Sequence, residues 1–449
     1  MLVPSNKLIF WFALISVSLA LLGGVLPRVA PLMALLGLAA LITTGADAWA
    51  GLRKRDGLTI SAPPLTRLSA DRPADVAVTI TRKEDSACVI RLALDFPAYV
   101  DTPPHGVTTR LPAGSQSAVQ AIPCTVPRRG AFTLRVCGVE HLSPLGLWHA
   151  RKRHSIAADV RVYPNLLRDH AGAAGLFLKH NTPGLQAVRQ VGRGREFEQL
   201  REYSPGDSFD EVDWKATARR GHPITKMFQV EKTQQVYVVV DASRLSARRH
   251  GRPGGNDASP PESALDKAVT AALLTGLAAE KQGDHFGLMT FSDRVLNFIP
   301  ARSGKNHYGV CRDILYHLEP DPVTPDFGEM ATALRLNIHR RALIMILTSL
   351  DNPVLSEDFQ DAIRLINRQH LILVNMIRPA AVTPLFSGPS PRSLHEAYER
   401  LSGHLRWSEL HTTARELKHI GVDFSLLENE KMCMDTVRQY LDVKRRQRV

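Results

Sequence analysis

Two groups of residues in this chain could do chemistry. The first runs from Arg201 to Arg219 and holds Glu202, Tyr203, Asp207, Asp213 and Trp214 around a Pro205-Gly206 turn. Asp207 and Asp213 are residue types that could serve as paired carboxylates in a hydrolase. That chemistry needs a base or nucleophile poised by a neighbour, and spacing alone shows none. Arg, Tyr and Trp are also the side chains that protein-interface hot spots use. A salt-bridge network pinning a linker to a sheet would draw on the same residues. The second group is Asp241, Ser243 and Ser246, three oxygen-bearing side chains directly after the apolar run Val236–Val240.

Other chemistries find no support. Ser303-Gly304-Lys305 lacks the upstream glycine of a phosphate-binding loop, and Gly192 and Gly194 follow no clear strand. None of the 17 histidines falls in H-E-x-x-H, His404 and His411 are isolated, and there is no G-x-S-x-G. Cys88, Cys124, Cys137, Cys311 and Cys433 are scattered without a C-x-x-C pair. This argues against zinc or a disulfide framework and fits a reducing compartment. The net charge of +12 favours acidic partners, anionic lipid or nucleic acid. Basic residues do not alternate with aromatics, so lipid is preferred to nucleic acid.

The elements that must position these residues are legible in outline. Leu8 to Pro27 and Val29 to Ala50 are each near the ~20 apolar residues of a membrane-spanning helix. Lys7 precedes the pair and Arg53, Lys54 and Arg55 follow it, which predicts both termini on the cytoplasmic side. Asp47 falls near the end of the second span, at the expected interface. Between Leu58 and Val162, short alternating runs broken by Pro, Gly and Asp predict an all-β sandwich serving as spacer or interaction module. A Gly- and Arg-rich approach, Gly184 to Phe197, leads to the first group of residues.

Beyond it, strands and helices alternate. The run Val236–Val240 reads as a strand buried on both faces, and Phe286–Phe291, Ala342–Leu347 and Leu371–Ile377 read likewise. A helix is expected from Ser259 as cap, others around Val310–Leu318 and Phe359–Ile366, and a helical tail from His411 around a short strand near Phe424. This alternation implies a doubly wound sheet, whose carboxyl edge is where ligands bind.

The block REYSPGDSFDEVDWKATAR, with VDASRLS, LMTFSDRV and RQYLDVKRR, resembles a bacterial membrane-anchored family catalogued as domain of unknown function fifty-eight. Arg201, Glu202, Tyr203, Pro205, Gly206, Asp207, Asp213, Trp214, Ala216, Ala218 and Arg219 match its signature block. Asp210 departs from it, standing where a basic residue is usual. The resemblance implies a von Willebrand factor A-like domain, a fold that often holds Mg²⁺ with a D-x-S-x-S loop. Asp241 and Ser243 occupy the first two positions, but Leu245 occupies the third and Ser246 is one out of register. Thr324 and Asp326 are the loop candidates, and Ser349 stands where a later Asp is usual, with Asp351 two residues beyond. A hard cation wants oxygen ligands, so the site reads as degenerate.

The resulting expectation is a multi-domain inner-membrane protein. It has a helical hairpin at 1–56, a β-sandwich at 57–165, a linker with the signature block at 166–233, and an α/β doubly wound von Willebrand factor A-like domain at 234–449. The expected role is non-enzymatic: a scaffold or adaptor that binds other proteins from the cytoplasmic face of the bilayer, without nucleic acid. The resemblance points to a MoxR-type AAA+ ATPase as partner in the assembly of cell-envelope complexes. The alternatives are a Mg²⁺-dependent binding domain using Asp241, Ser243, Thr324 and Asp351, and a hydrolase using Asp207 and Asp213.

Overall fold

The computed structural model describes residues 1–25, 30–82, 88–112, 114, 116–166, 191–204, 209, 212–229, 233–249, 262–379, 381–387, 391 and 393–446. It divides into two compact units, Met1–Asn165 and Leu166–Val449.

The first unit begins with a short strand, β1 (Leu2–Pro4), which no pattern in the chain predicts. Two helices follow, α1 (Asn6–Val25) and α2 (Ala30–Asp56). Ile9, Phe10, Phe12 and Leu14 of α1 and Leu35, Leu38, Leu41 and Ile42 of α2 are all exposed. Among the described residues, the segment Leu35–Arg53 is long and apolar enough to cross a bilayer by length and composition. Eight strands come next: β2 (Leu58–Ser61), β3 (Leu65–Ser69), β4 (Pro73–Arg82), β5 (Cys88–Leu94), β6 (Val107–Leu111), β7 (Ser117–Thr125), β8 (Gly130–Leu142) and β9 (Trp148–Tyr163). One sheet runs β1-β9-β8-β5-β6 with β3 alongside β9, and the other runs β2-β4-β7. Alternate residues of each, such as Val76, Val78 and Ile80 with Ile90, Leu92, Val160 and Val162, share one core.

Asp47 is buried, 4% exposed. Its carboxylate accepts from Ser143 Oγ (2.5 Å) and from the backbone N–H groups of Leu145 (2.8 Å) and Leu147 (3.4 Å). Trp148 Nε1 donates to the Thr44 carbonyl at 3.0 Å, and His141 Nε2 lies 2.9 Å from the Gly51 carbonyl. The turn between β8 and β9 is thereby fastened to α2. The sequence could not show this, because the donors are mostly backbone and nearly a hundred residues away.

In the second unit, β10 (Val191–Glu202) and β11 (Ile224–Gln229) pair antiparallel, with α3 (Trp214–Arg220) between them in the chain. Part of what reads as a flexible approach is therefore strand. The elements that follow are β12 (Gln235–Asp241), α4 (Ala264–Lys281), β13 (His285–Phe291), β14 (Val295–Arg302), α5 (Lys305–Leu315) and α6 (Phe327–Asn337). They continue with β15 (Leu343–Leu347), α7 (Pro353–Ile363), β16 (Leu371–Ile377), α8 (Leu394–His419), β17 (Asp423–Leu427) and α9 (Met432–Arg445).

The sheet order is β14-β13-β12-β15-β16-β17, parallel throughout except for β14. Val236, Val238 and Val240 enter one hydrophobic core, and Tyr237 and Val239 enter another on the opposite face. This two-sided burial is why the run lacks polar alternation. Counted from β12, the order is the doubly wound 3-2-1-4-5-6, whose switch point lies between the carboxyl ends of β12 and β15.

Two local expectations are corrected. The cap of α4 is Ser263, not Ser259: Ser263 Oγ accepts from Asp266 N, and the Asp266 carboxylate accepts from Ser263 N, both at 3.1 Å. Residues 250–261 lie outside the described residues. The terminal helical region begins at Leu394, well before His411.

A cleft at the switch point as candidate functional site

The carboxyl ends of β12 and β15 open into a cleft of about 700 Å³, walled by Asp241, Arg248, Thr348, Asp351, Arg406 and Glu409 among others. Asp241 is almost fully buried. Its Oδ1 accepts from Ser243 N at 2.8 Å and its Oδ2 from Thr348 Oγ1 at 2.6 Å. Burial raises its pKa, against the opposing pull of those two hydrogen bonds. Ser243 is also buried, and its Oγ accepts from Leu245 N at 3.3 Å. Ser246 Oγ donates to the Ser243 carbonyl at 2.8 Å. The loop therefore closes on itself as a single 3₁₀ turn, with the Leu245 side chain in the core.

The remaining positions of a Mg²⁺ site are otherwise engaged. Thr324 is exposed, and Asp326 caps α6 by accepting from Glu329 N at 2.9 Å. Ser349 Oγ donates to Asp351 at 3.2 Å, and the other Asp351 oxygen is bound by the Arg248 guanidinium. An octahedral cation would have to displace Thr348 from one carboxylate and Arg248 from the other. Among the described residues, no cluster of three or more His, Cys, Asp or Glu side chains could hold a metal ion. This donor set does not fit Mg²⁺ as it stands.

The signature block is arranged differently. Asp213 is the cap of α3, accepting from Lys215 N at 3.0 Å and Ala216 N at 3.1 Å, with Lys226 Nζ at 3.3 Å. The Ala216 hydrogen bond above all, aided by Lys226, lowers its pKa. Such a carboxylate is held ionised to fix a helix. Trp214 follows it with 66% of its surface exposed. Arg201, Glu202 and Arg219 are exposed as well, Glu202 facing His222 at 3.4 Å. Tyr203 stacks obliquely on Phe209 with ring centroids 5.9 Å apart, and Phe209 is itself exposed. Pro205, Gly206 and Asp207 lie outside the described residues. The cysteines Cys124, Cys137, Cys311 and Cys433 are buried and form no disulfide among the described residues. Burial pushes Cys124 and Cys137 up to about 11 and Cys311 to about 12, which keeps them as inert thiols.

Sequence reasoning missed Arg248, Thr348 and Arg406. Thr348 carried a faint signal, a hydroxyl at the end of the apolar run Leu343–Leu347. Arg248 and Arg406 carried none, since only the fold brings them together. Gly403 helps to seat α8 beside the cleft: a Cβ there would lie 2.0 Å from the Ala381 carbonyl oxygen. Only glycine permits that approach.

Residues 199–383 match the family model described as Protein of unknown function DUF58. Uncharacterized protein Rv1480 of Mycobacterium tuberculosis (strain ATCC 25618 / H37Rv) is 25% identical over 184 residues, which cover 40% of this chain and 54% of Rv1480. The chain thus spans about half the length of the curated relatives it matches. Among solved structures, conserved hypothetical protein BatB from Bacteroides thetaiotaomicron is 14% identical and covers 47% of this chain and 99% of its own, with a TM-score of 0.29. An aerotolerance-related membrane protein from Bacteroides fragilis NCTC 9343 is 13% identical over 46% of this chain and 98% of its own, with a TM-score of 0.28.

Proposed function

We propose that this DUF58 protein is a membrane-anchored scaffold that docks other proteins and catalyses no reaction of its own. In this reading α1 and α2 form a hairpin in the bacterial inner membrane, and the two-sheet unit is a β-sandwich spacer. The α/β unit faces the cytoplasm, in keeping with the basic run Arg53-Lys54-Arg55 in the last turn of α2. Docking uses the cleft at the switch point together with the lobe from Arg201 to Arg219. A MoxR-type AAA+ ATPase is the partner that the sequence resemblance suggests, in the assembly of cell-envelope complexes.

The observation that carries this reading is how the polar groups are used. Asp213 caps a helix, Asp241 closes a turn and Asp351 pairs with Arg248. The hydroxyls that touch Asp241 and Asp351, those of Thr348 and Ser349, act as donors that fix those carboxylates, whereas Trp214 and Phe209 stand exposed, as interface anchors do. Crosslinking in intact membranes tests it. Wild-type chain should yield a discrete adduct with a MoxR-type ATPase that Trp214→Ala reduces at least several-fold at equal protein level. An unchanged adduct pattern, or a reporter fused after Arg55 that proves non-cytoplasmic, contradicts it.

A further inference from the structure

The cleft raises a question of charge. In a metal-bearing version of this loop, the cation presents positive charge at the sheet edge. Here the oxygens such an ion would need are occupied, and the positive charge in the cleft is a guanidinium. We infer that Arg248, held on Asp351 and joined by Arg406, takes the place of the metal and receives a carboxylate side chain from an acidic segment of a bound protein. This deepens the docking function and rests on it.

Three observations support the assignment. Asp351 is nearly buried, its side chain 10% exposed, while the Arg248 side chain is 45% exposed. The carboxylate thus fixes one side of the guanidinium and leaves the rest open. Arg has five N–H donors in a rigid fork that matches a carboxylate, and among the described residues a single one is engaged, with Asp351. Arg406 is exposed on α8, lines the same cleft, and makes no ion pair among the described residues. Finally, α4, α7 and α9 all begin here, with Ala264, Pro353 and Met432 in the wall. The amino ends of helices carry partial positive charge, which reinforces the two guanidinium groups. Glu409 on the rim is the opposing charge. It favours a segment presenting one or two carboxylates over a long polyanion.

Fluorescence anisotropy with the full chain in nanodiscs provides the test. The probes are a fluorescein-labelled hexapeptide with two central glutamates and its glutamine counterpart, at low salt in EDTA. The glutamate peptide should bind at least tenfold tighter, unchanged when Mg²⁺ replaces EDTA. Arg248→Gln should weaken it by about tenfold, Arg406→Gln by a few-fold, and Arg248→Lys should fall between wild type and Arg248→Gln, because charge survives without the fork. Each variant should melt within a few degrees of wild type, which separates lost recognition from lost folding. Binding that requires Mg²⁺ and disappears in Asp241→Ala would overturn the assignment, as would equal affinity for the two peptides or an Arg248→Gln variant that binds normally. A membrane adduct that forms undiminished with Arg248→Gln would sink this inference while leaving the docking function intact. No adduct under any condition would sink both.

Discussion

The two ends of the α/β sheet are built around the same kind of residue and finished in opposite ways. At the amino edge, the Asp284 side chain is fully buried and accepts from Tyr440 Oη (2.5 Å), Lys444 Nζ (2.8 Å) and Gln234 N (3.1 Å). Tyr440 and Lys444 belong to RQYLDVKRR, so this stretch locks the last helix onto the turn before β13. Gln439 of the same stretch accepts from Asn375 Nδ2 at 2.8 Å. At the carboxyl edge, Asp241 is equally shielded, yet its surroundings open into a cleft where Arg248 has donors to spare. A buried carboxylate is therefore no marker of chemistry by itself. What separates the two ends is whether the neighbouring charges are sealed within the fold or turned outward.

The contrast can be broken most severely at the sealed end. Asp284→Ala leaves the buried Tyr440 hydroxyl without its acceptor and Lys444 with only the Gln282 carbonyl, and should cost roughly 3 kcal/mol of stability. Tyr440→Phe removes one hydrogen bond and should cost about 1 kcal/mol. Chemical denaturation of the two variants checks both values. A loss below about 1 kcal/mol for Asp284→Ala would mean that this end is not the lock described here.

The open end should respond to pH instead. Burial raises the folded-state pKa of Asp241, so the folded protein holds that proton more tightly than the unfolded chain. Its contribution is complete below the ordinary carboxylate range and is lost as pH rises through that range toward the raised value. Asp241→Asn keeps an acceptor for Ser243 N and can donate to Thr348 Oγ1, and it has no charge to bury. The variant should melt higher than wild type at pH 7, with the gap closing toward pH 4. A gap independent of pH would contradict a buried carboxylate whose hydrogen bonds do not fully offset the cost of burial.

The smallest expected effect on stability is that of Arg248→Gln, within about 1 kcal/mol, because its ion pair is half exposed. Its consequence should appear in binding. This sharpens the contrast: the sealed end governs stability and the open end recognition.

How far the sequence showed this depended on where the partners lie. The buried strands were legible because two-sided burial leaves unbroken apolar runs, as at Val236–Val240 and Leu343–Leu347. The edge strand β14 was not, since VLNFIPAR mixes polar residues and Pro300 in a segment covered on one side. Helix α6 was missed for a related reason: its buried face is only Phe327, Met330, Ala331 and Leu334 in a short helix. Asp241 and Ser243 were recognisable from their loop. The ion pair of Arg248 with Asp351, the approach of Arg406, and the fastening of Asp47 to the Ser143 turn are contacts between distant segments. No local spacing encodes them.

The account stands most directly on where partners touch. A photo-crosslinking residue placed at Glu409, on the rim of the open edge, should give a discrete protein adduct in membranes that Arg248→Gln diminishes. The same residue at Lys281, the last position of α4 at the sealed edge, should give none. Equal labelling at both positions, or none at the open edge, would contradict a docking face there.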